Sequence, residues 1–246
     1  MALRRLLDPI IDLDRIPEGM LGYLRYAREW RAYSHEPSAE PLSIKDAFPC
    51  LHDNVSVMPV DAHYFYQDIW AFKAVQRSGV RSHVDVGSRA LLVGMLSAVT
   101  HVTYVDIRPL LVALENFESK TGSILELPFE DETIRSLSCL HVAEHIGLGR
   151  YGDPLDPEGT RKAARELARV LSRGGNLYFS LPIGKPRVCF NAHRIHAPEQ
   201  ITEYFSKLEL VEFSAVDDGG RFHPRAEPAS FREASYACGM FHFVAA

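Results

Sequence analysis

Two hydrophobic periods alternate along most of this chain, and the change from one to the other marks its elements. His83 to Val86 is a short apolar run that ends at Gly87, and Val102 to Ile107 is a second, β-branched run that carries Asp106. Between them Leu92, Met95, Leu96 and Val99 recur at i, i+3, i+4 and i+7, which predicts one buried face of a helix. Strand, tight turn, helix, and strand with an acid at its tip form the front half of a doubly wound α/β unit.

The alternation continues downstream. The pattern predicts a short helix over Leu110–Phe117, a third strand at Ser123–Leu125 ahead of Pro128, and a fourth over Ile134–His141. After a loop rich in glycine and proline, Asp156 is placed to cap a helix with Pro157 at its first position. Ala164, Leu167, Ala168 and Leu171 would line that helix, which should stop at Gly174-Gly175. Asn176–Pro182 reads as a fifth strand, Pro198–Phe205 as a helix, and Leu208–Val216 and Tyr236–Val244 as closing strands. Two strands with no helix between them predict an antiparallel edge strand. The expectation is therefore a Rossmann-like, doubly wound, mostly parallel sheet with an antiparallel edge strand.

Upstream the pattern is weaker. Gly22–Ser34 reads as a helix, and Pro37, Pro41 and Pro49 mark a linker. Ala62–Gln76 is a second helix, with Phe65, Ile69, Phe72 and Ala74 facing a core and Tyr64, Tyr66, Gln67 and Asp68 bringing polar tips. Residues 1–60 are thus expected to be a partly helical extension and 61–246 the main domain.

Composition narrows the partners. An apolar fraction of 46%, a charged fraction of 24% and a net charge of −5 over 246 residues describe an ordinary globular chain. No run of Lys or Arg favours nucleic acid, and no apolar stretch is long enough to span a bilayer. Acids interrupt the apolar start MALRRLLDPIIDLD, which argues against a signal peptide. Cys50, Cys139, Cys189 and Cys238 are widely spaced, so free thiols in a reducing compartment, the cytoplasm, are expected, and no metal set is read from their spacing.

The turn at Gly87 discriminates between ligands. A dinucleotide needs several glycines so that its pyrophosphate can reach bare backbone, but Arg89 and Leu91 stand where further glycines would be. S-adenosylmethionine (SAM) carries no phosphate there and presents a carboxylate, which Arg89 could grip as a fork. Asp106 could accept from both ribose hydroxyls.

Three further groups carry candidate chemistry. His141, Glu144 and His145 spell a His-x-x-Glu-His zinc-protease pattern, but that motif requires a long helix and His141 ends a strand. Glu144 and His145 read either as a structural tie of loop to sheet or, for His145, as a general base titrating near working pH. The loop from Gly147 to Asp156 would hold Arg150 and Tyr151 over the site, unless it is merely solvated. Asn191, His193 and Arg194 either frame an acceptor, with His193 as rival base, or form a plain loop.

The ordered phrases DVGSR, YVDIRPL, LPFEDETIRSLSCLHVAEHI, ELARVLSRGGNLYFSLP and FNAHRIHAPEQI resemble a class I SAM-dependent methyltransferase. More closely, HYFYQDIWA, VDIRPL and EHIGLGRYGDPLDP resemble an uncharacterised methyltransferase-like family, a domain of unknown function; the likeness covers roughly residues 60–246. The resemblance implies that Asp85 and Gly87, with Ser88 and Arg89, hold the methionine end of SAM. It implies Asp106 on the ribose and Ile107 packed on the adenine; Ser123 or Ile124 stands where the family usually offers an acid to the adenine amine, and Arg108 and His141 are the remaining cofactor-site candidates. Glu144, His145 and His193 are then the catalytic candidates, and Arg150, Tyr151, Asn191 and Arg194 the substrate-binding ones. The expected activity is methylation of a small molecule, with a sugar or sugar-phosphate oxygen as the guess that Arg150, Arg187 and Arg194 motivate. A ligand-binding protein without catalysis and a nicotinamide oxidoreductase are the competing readings.

Overall fold

The computed structural model describes residues 15–246, so the reading of the first fourteen residues lies outside it. The chain divides into two compact units, one ending at Val60 and one running from Asp61 to Ala246. The first contains helix α1 (Arg15–Ser34), which begins well before the predicted Gly22. No helix among the described residues is long and apolar enough to cross a membrane.

The second unit opens with α2 (Ala62–Ser78), capped by the Asp61 carboxylate accepting from the N–H groups of His63 and Tyr64 and closed by Gly79. Five strands then run parallel: β1 (Ser82–Val86), β2 (His101–Asp106), β3 (Phe117–Thr121), β4 (Ile134–Leu140) and β5 (Leu171–Ile183). A short helix, α3 (Ala90–Leu96), joins β1 to β2, and α4 (Gly159–Val170) joins β4 to β5. A small hairpin follows, β6 (Arg187–Cys189) against β7 (His193–Ile195), then α5 (Pro198–Tyr204), β8 (Leu208–Val216), β9 (Phe222–His223) and β10 (Ala237–Ala245). The large sheet has the order β3-β2-β1-β4-β5-β10-β8-β9. It is the doubly wound, mostly parallel sheet expected; its long antiparallel strand, β10, sits between β5 and β8, two places inside the edge that β9 forms.

Alternation along the strands sorts the core into two faces. Leu177, Phe179, Phe241 and Phe243 join Ala164 and Leu167 of α4 on one side. Tyr178, Met240, Val102 and Leu140 meet Trp70 and Val75 of α2 and Leu92 and Leu96 of α3 on the other.

Several predicted elements move. Leu110–Phe117 forms no helix, and the third strand is Phe117–Thr121 rather than Ser123–Leu125, which lie in a turn. β3 is an edge strand whose Glu118 and Lys120 face water, so it lacks the apolar alternation that marks inner strands. The helix before β5 stops at Val170; Gly174 (φ +69°) lies inside a bulged β5, where the register against β4 shifts. Asp156 does not cap that helix: its carboxylate takes the Glu158 N–H at 2.9 Å and Lys162 at 2.6 Å. On α2 the buried face is Gln67, Asp68, Trp70, Ala71 and Val75, while Phe65 and Ile69 are exposed.

One fully buried polar chain crosses from β4 to β1. The Ser138 hydroxyl donates to the Asp85 carboxylate, so its oxygen accepts from His83 Nε2 at 2.8 Å. His83 Nδ1, left with its lone pair, accepts from Ser136 at 2.8 Å. Burial lowers His83 from 6.5 to about 3 and raises Asp85 from 3.8 to about 6. The depressed histidine contributes stability that is complete above pH 6.5 and is lost as pH falls towards 3. The raised aspartate has the opposite sign: its contribution is present below 3.8 and fades as pH rises through 6. Comparing wild type with His83→Asn isolates the first contribution. In urea denaturation at pH 7 and 5, the wild type should lose roughly 1.4 kcal/mol per pH unit more than the variant below 6.5. Equal slopes would mean that the folded protein takes up that proton freely.

Candidate active site

The chain leaves β1 towards β2 and returns to β4 on β1's other side, and this reversal opens a crevice at the carboxyl ends of both strands. Gly87 begins the turn there at φ +69°, and a Cβ would meet the two Val142 methyls at 3.1 and 3.2 Å. Only glycine satisfies both the conformation and the contact. Beside it Asp106 ends β2. Its Oδ1 accepts the Arg108 N–H at 2.7 Å, and its Oδ2 accepts the Tyr104 hydroxyl at 3.3 Å.

A cavity of about 310 Å³ lies over these groups, at the small end of the roughly 300–1,000 Å³ usual for ligand pockets. Gly87, Asp106, Ile107 and Arg108 line it from the ends of β1 and β2, Ser123 and Ile124 from the turn after β3, and His141 from the end of β4. The other three cofactor candidates lie elsewhere. Asp85 and Ser88 are buried beneath the turn: Asp85 accepts the Ser88 N–H at 3.0 Å, and the Ser88 hydroxyl oxygen accepts the Leu140 N–H at 3.1 Å. Arg89 leans on α2 instead of the cavity, 3.4 Å from Asp68 and 4.9 Å from the centre of the Tyr64 ring.

The segment after β4 is one 3-10 turn, Ala143–His145, entered through His141 at φ +56°. The long helix a His-x-x-Glu-His zinc site requires does not form. His145 Nδ1 donates to the Ala192 carbonyl at 2.5 Å, which leaves Nε2 unprotonated, 3.6 Å from Glu144 Oε1. Burial pushes Glu144 up to about 8 and His145 down to about 4. Near neutrality the two are a carboxylic acid and a neutral imidazole, not an ion pair. His145 therefore does not titrate near working pH as expected.

The four substrate candidates divide. Tyr151 lines the cavity, with Arg108 stacked 4.4 Å and Arg150 5.2 Å from its ring centre. Arg150 also donates to the Ala192 carbonyl at 3.0 Å. Arg194 is buried and spends its fork on the carbonyls of Ile146 (2.5 Å) and Asp156 (2.9 Å), pinching the neck of the 147–156 loop. It clamps the loop and does not face an anion as predicted. Gly147 makes that neck possible: at φ +81° a Cβ would lie 2.1 Å from the Asp156 oxygen. Asn191 is exposed at the tip of the β6–β7 hairpin.

A second crevice adjoins the first through His141. His63 and Tyr64, in the first turn of α2, face His141 and Tyr236 across it, and Asp217 and Asp218 form its rim. Tyr236 stacks on His63 at 5.1 Å and meets His193 at 5.1 Å, while Tyr64 lies 5.1 Å from His141. Donor atoms of His63, His141 and Cys238 lie within 4.8 Å of one another. The sequence reading singled out neither His63, Tyr236 nor Cys238. The usable signal was topological: an antiparallel β10 starts where the parallel strands end, so its first residues belong to the functional rim.

Solved structures share this fold. The N-methyltransferase NodS from Bradyrhizobium japonicum WM9, in complex with S-adenosyl-L-homocysteine, is 12% identical, covering 89% of this chain and 97% of its own, with a TM-score of 0.54. Geranyl diphosphate methyltransferase in complex with SAM is 15% identical over 74% of this chain and 85% of its own, TM-score 0.51. The [4+2]-cyclase SpnF is 15% identical over 72% and 80%, TM-score 0.52. No curated protein sequence matches the chain. The fold is that of the class I SAM-dependent methyltransferases. Residues 98–223, just over half of the chain, match the family described as "Caenorhabditis protein of unknown function, DUF268", and the chain belongs to that family.

Proposed function

We propose that this protein binds SAM across the Gly87 turn and Asp106 and transfers its methyl group to a small molecule in the adjoining crevice. The observation that carries this reading is the single cavity uniting a bare glycine turn, an acid at the β2 tip and two isoleucines, Ile107 and Ile124. The acid suits two ribose hydroxyls, the isoleucines suit a flat base, and one glycine suffices where no pyrophosphate must be cradled. The same turn argues against a nicotinamide dinucleotide.

Bound SAM supplies a methyl group on a positively charged sulfur, ready for in-line displacement. The protein's part is alignment and exclusion of water. Tyr151, held between two guanidinium groups, covers the cavity. The rings of His63, Tyr64 and Tyr236 wall the crevice for the acceptor, Asp61, Asp217 and Asp218 also line it, and His193 lies against Tyr236. The three arginines that motivated a sugar phosphate all donate to backbone carbonyls, Arg187 to those of Lys185 and Ser235. A flat acceptor without negative charge fits better beside the aspartates of the crevice. Where the acceptor must lose a proton, His193, half-buried against Tyr236 and not tied to a carbonyl as His145 is, is the base. A second reading keeps the ligand and drops methyl transfer; the cyclase among the structural neighbours favours it, since the fold is not tied to one reaction.

Calorimetric titration with SAM, S-adenosylhomocysteine and NAD⁺ separates these readings: the first two should bind and the third should not. Asp106→Ala should weaken SAM by on the order of 1–3 kcal/mol; unchanged affinity would remove Asp106 from the site. With radiolabelled SAM and a panel of phenols, thiols and amines, His193→Ala should lower turnover roughly 10²–10⁴-fold at unchanged SAM affinity. Undiminished turnover would leave alignment alone as the mechanism.

A further inference from the structure

His141 is held in one tautomer. Its Nδ1 meets Gln67 Oε1 at 2.5 Å. The Gln67 amide is oriented from both ends, since its Nε2 donates to Asp68 at 3.2 Å and its Oε1 also accepts the Ser180 hydroxyl. The proton of His141 is therefore on Nδ1, and the lone pair is on Nε2. That atom is buried and, among the described residues, has no hydrogen-bond partner; the same is true of both oxygens of Glu144. Buried polar atoms are satisfied almost everywhere in folded proteins, and an unspent lone pair in the interior is costly. A histidine whose second nitrogen donates to an oriented oxygen is the usual arrangement of a metal ligand.

Two more donors meet it. His63 comes from the start of α2 and Cys238 from the start of β10, and the three ligand atoms lie within 4.8 Å of one another. A tetrahedral zinc centre, with bonds of about 2.0–2.3 Å, would require only side-chain adjustment to draw them in. Two imidazoles and a sulfur are the wrong donors for magnesium or calcium and the right ones for zinc. We propose that His63, His141 and Cys238 form a binding site for a divalent transition metal of the zinc class. Binding exchanges the Cys238 S–H proton, released to solvent, for an S–metal bond. Three protein donors leave a fourth position for water or a substrate atom, the arrangement of a reactive rather than a purely structural centre. The site does not depend on SAM binding.

The test uses the full chain, stripped with chelator and titrated with Co²⁺. One equivalent should produce a sulfur-to-cobalt charge-transfer band and tetrahedral visible bands, and Zn²⁺ should abolish both. Cys238→Ser should remove the charge-transfer band. His63→Ala, at a partly exposed position whose loss spares the core, should weaken binding at least about tenfold with its circular dichroism unchanged. Cys50→Ser, at an exposed thiol in the first unit, should leave the spectrum intact. No band at one equivalent would overturn the assignment. So would a band that survives Cys238→Ser, or one that disappears with Cys50→Ser.

Discussion

The parallel pairing of β1 with β4 is the contact on which the rest of the molecule depends. Asp85 lies opposite Ser138 in that register, and the buried chain from Ser136 through His83 and Ser138 to Asp85 allows no slip. A one-residue shift would send every side chain to the other face and leave His83 and Asp85 without partners. With the register held, the ends of β1 and β4 stay level. Gly87 then stands against Val142, and the Ser88 hydroxyl takes the first amide beyond the ladder, that of Leu140. The cavity exists because those two strand ends are neighbours in space while being fifty residues apart in sequence.

That arrangement was largely legible as pattern. The strands around Gly87, the acid at Asp106 and the strand–loop–helix order follow from periodicity, because inner strands and turns obey local rules. The helix faces were less legible. Apolar spacing put Phe65, Ile69, Met95 and Val99 in the core, yet all four are exposed, while Gln67 and Asp68 are buried. Periodicity cannot foresee this, since Gln67 is admitted by His141 and Ser180, residues far along the chain that satisfy its oxygen. The edge strand β3 escaped notice for the opposite reason: with one side open, it is free to carry charges.

Charged groups misled in a consistent way. Arg150, Arg187 and Arg194 suggested an anionic substrate by their number and by the loops that hold them. Each is instead spent on backbone carbonyls at the neck of the 147–156 loop or in and beside the β6–β7 hairpin. A tightly folded loop has more inward carbonyls than its own amides can serve, and arginine, with five donors in a fixed fork, is the residue best suited to serve two at once. The loop's shape thus depends on Arg194 and Gly147 together, one supplying donors and the other the close approach.

What remains unmatched is correspondingly telling. Buried polar groups beneath the sheet, in the loop neck and at the Gly87 turn all find partners. Among the described residues the exceptions are the Glu144 carboxyl and one ring nitrogen each of His141 and His196, and His141 lines the crevice that Tyr64 and Tyr236 share. Burial first, and the nearby Glu144 carboxyl second, hold the protons of Tyr64, Tyr236 and Cys238 more tightly. A protein that satisfies Gln67 from three directions has not left its neighbours bare through poor packing. His141 stands at the junction between the cofactor cavity and the acceptor crevice, where a reacting molecule or ion would have to be held, and the Glu144 carboxyl is buried behind His145 of the cavity wall.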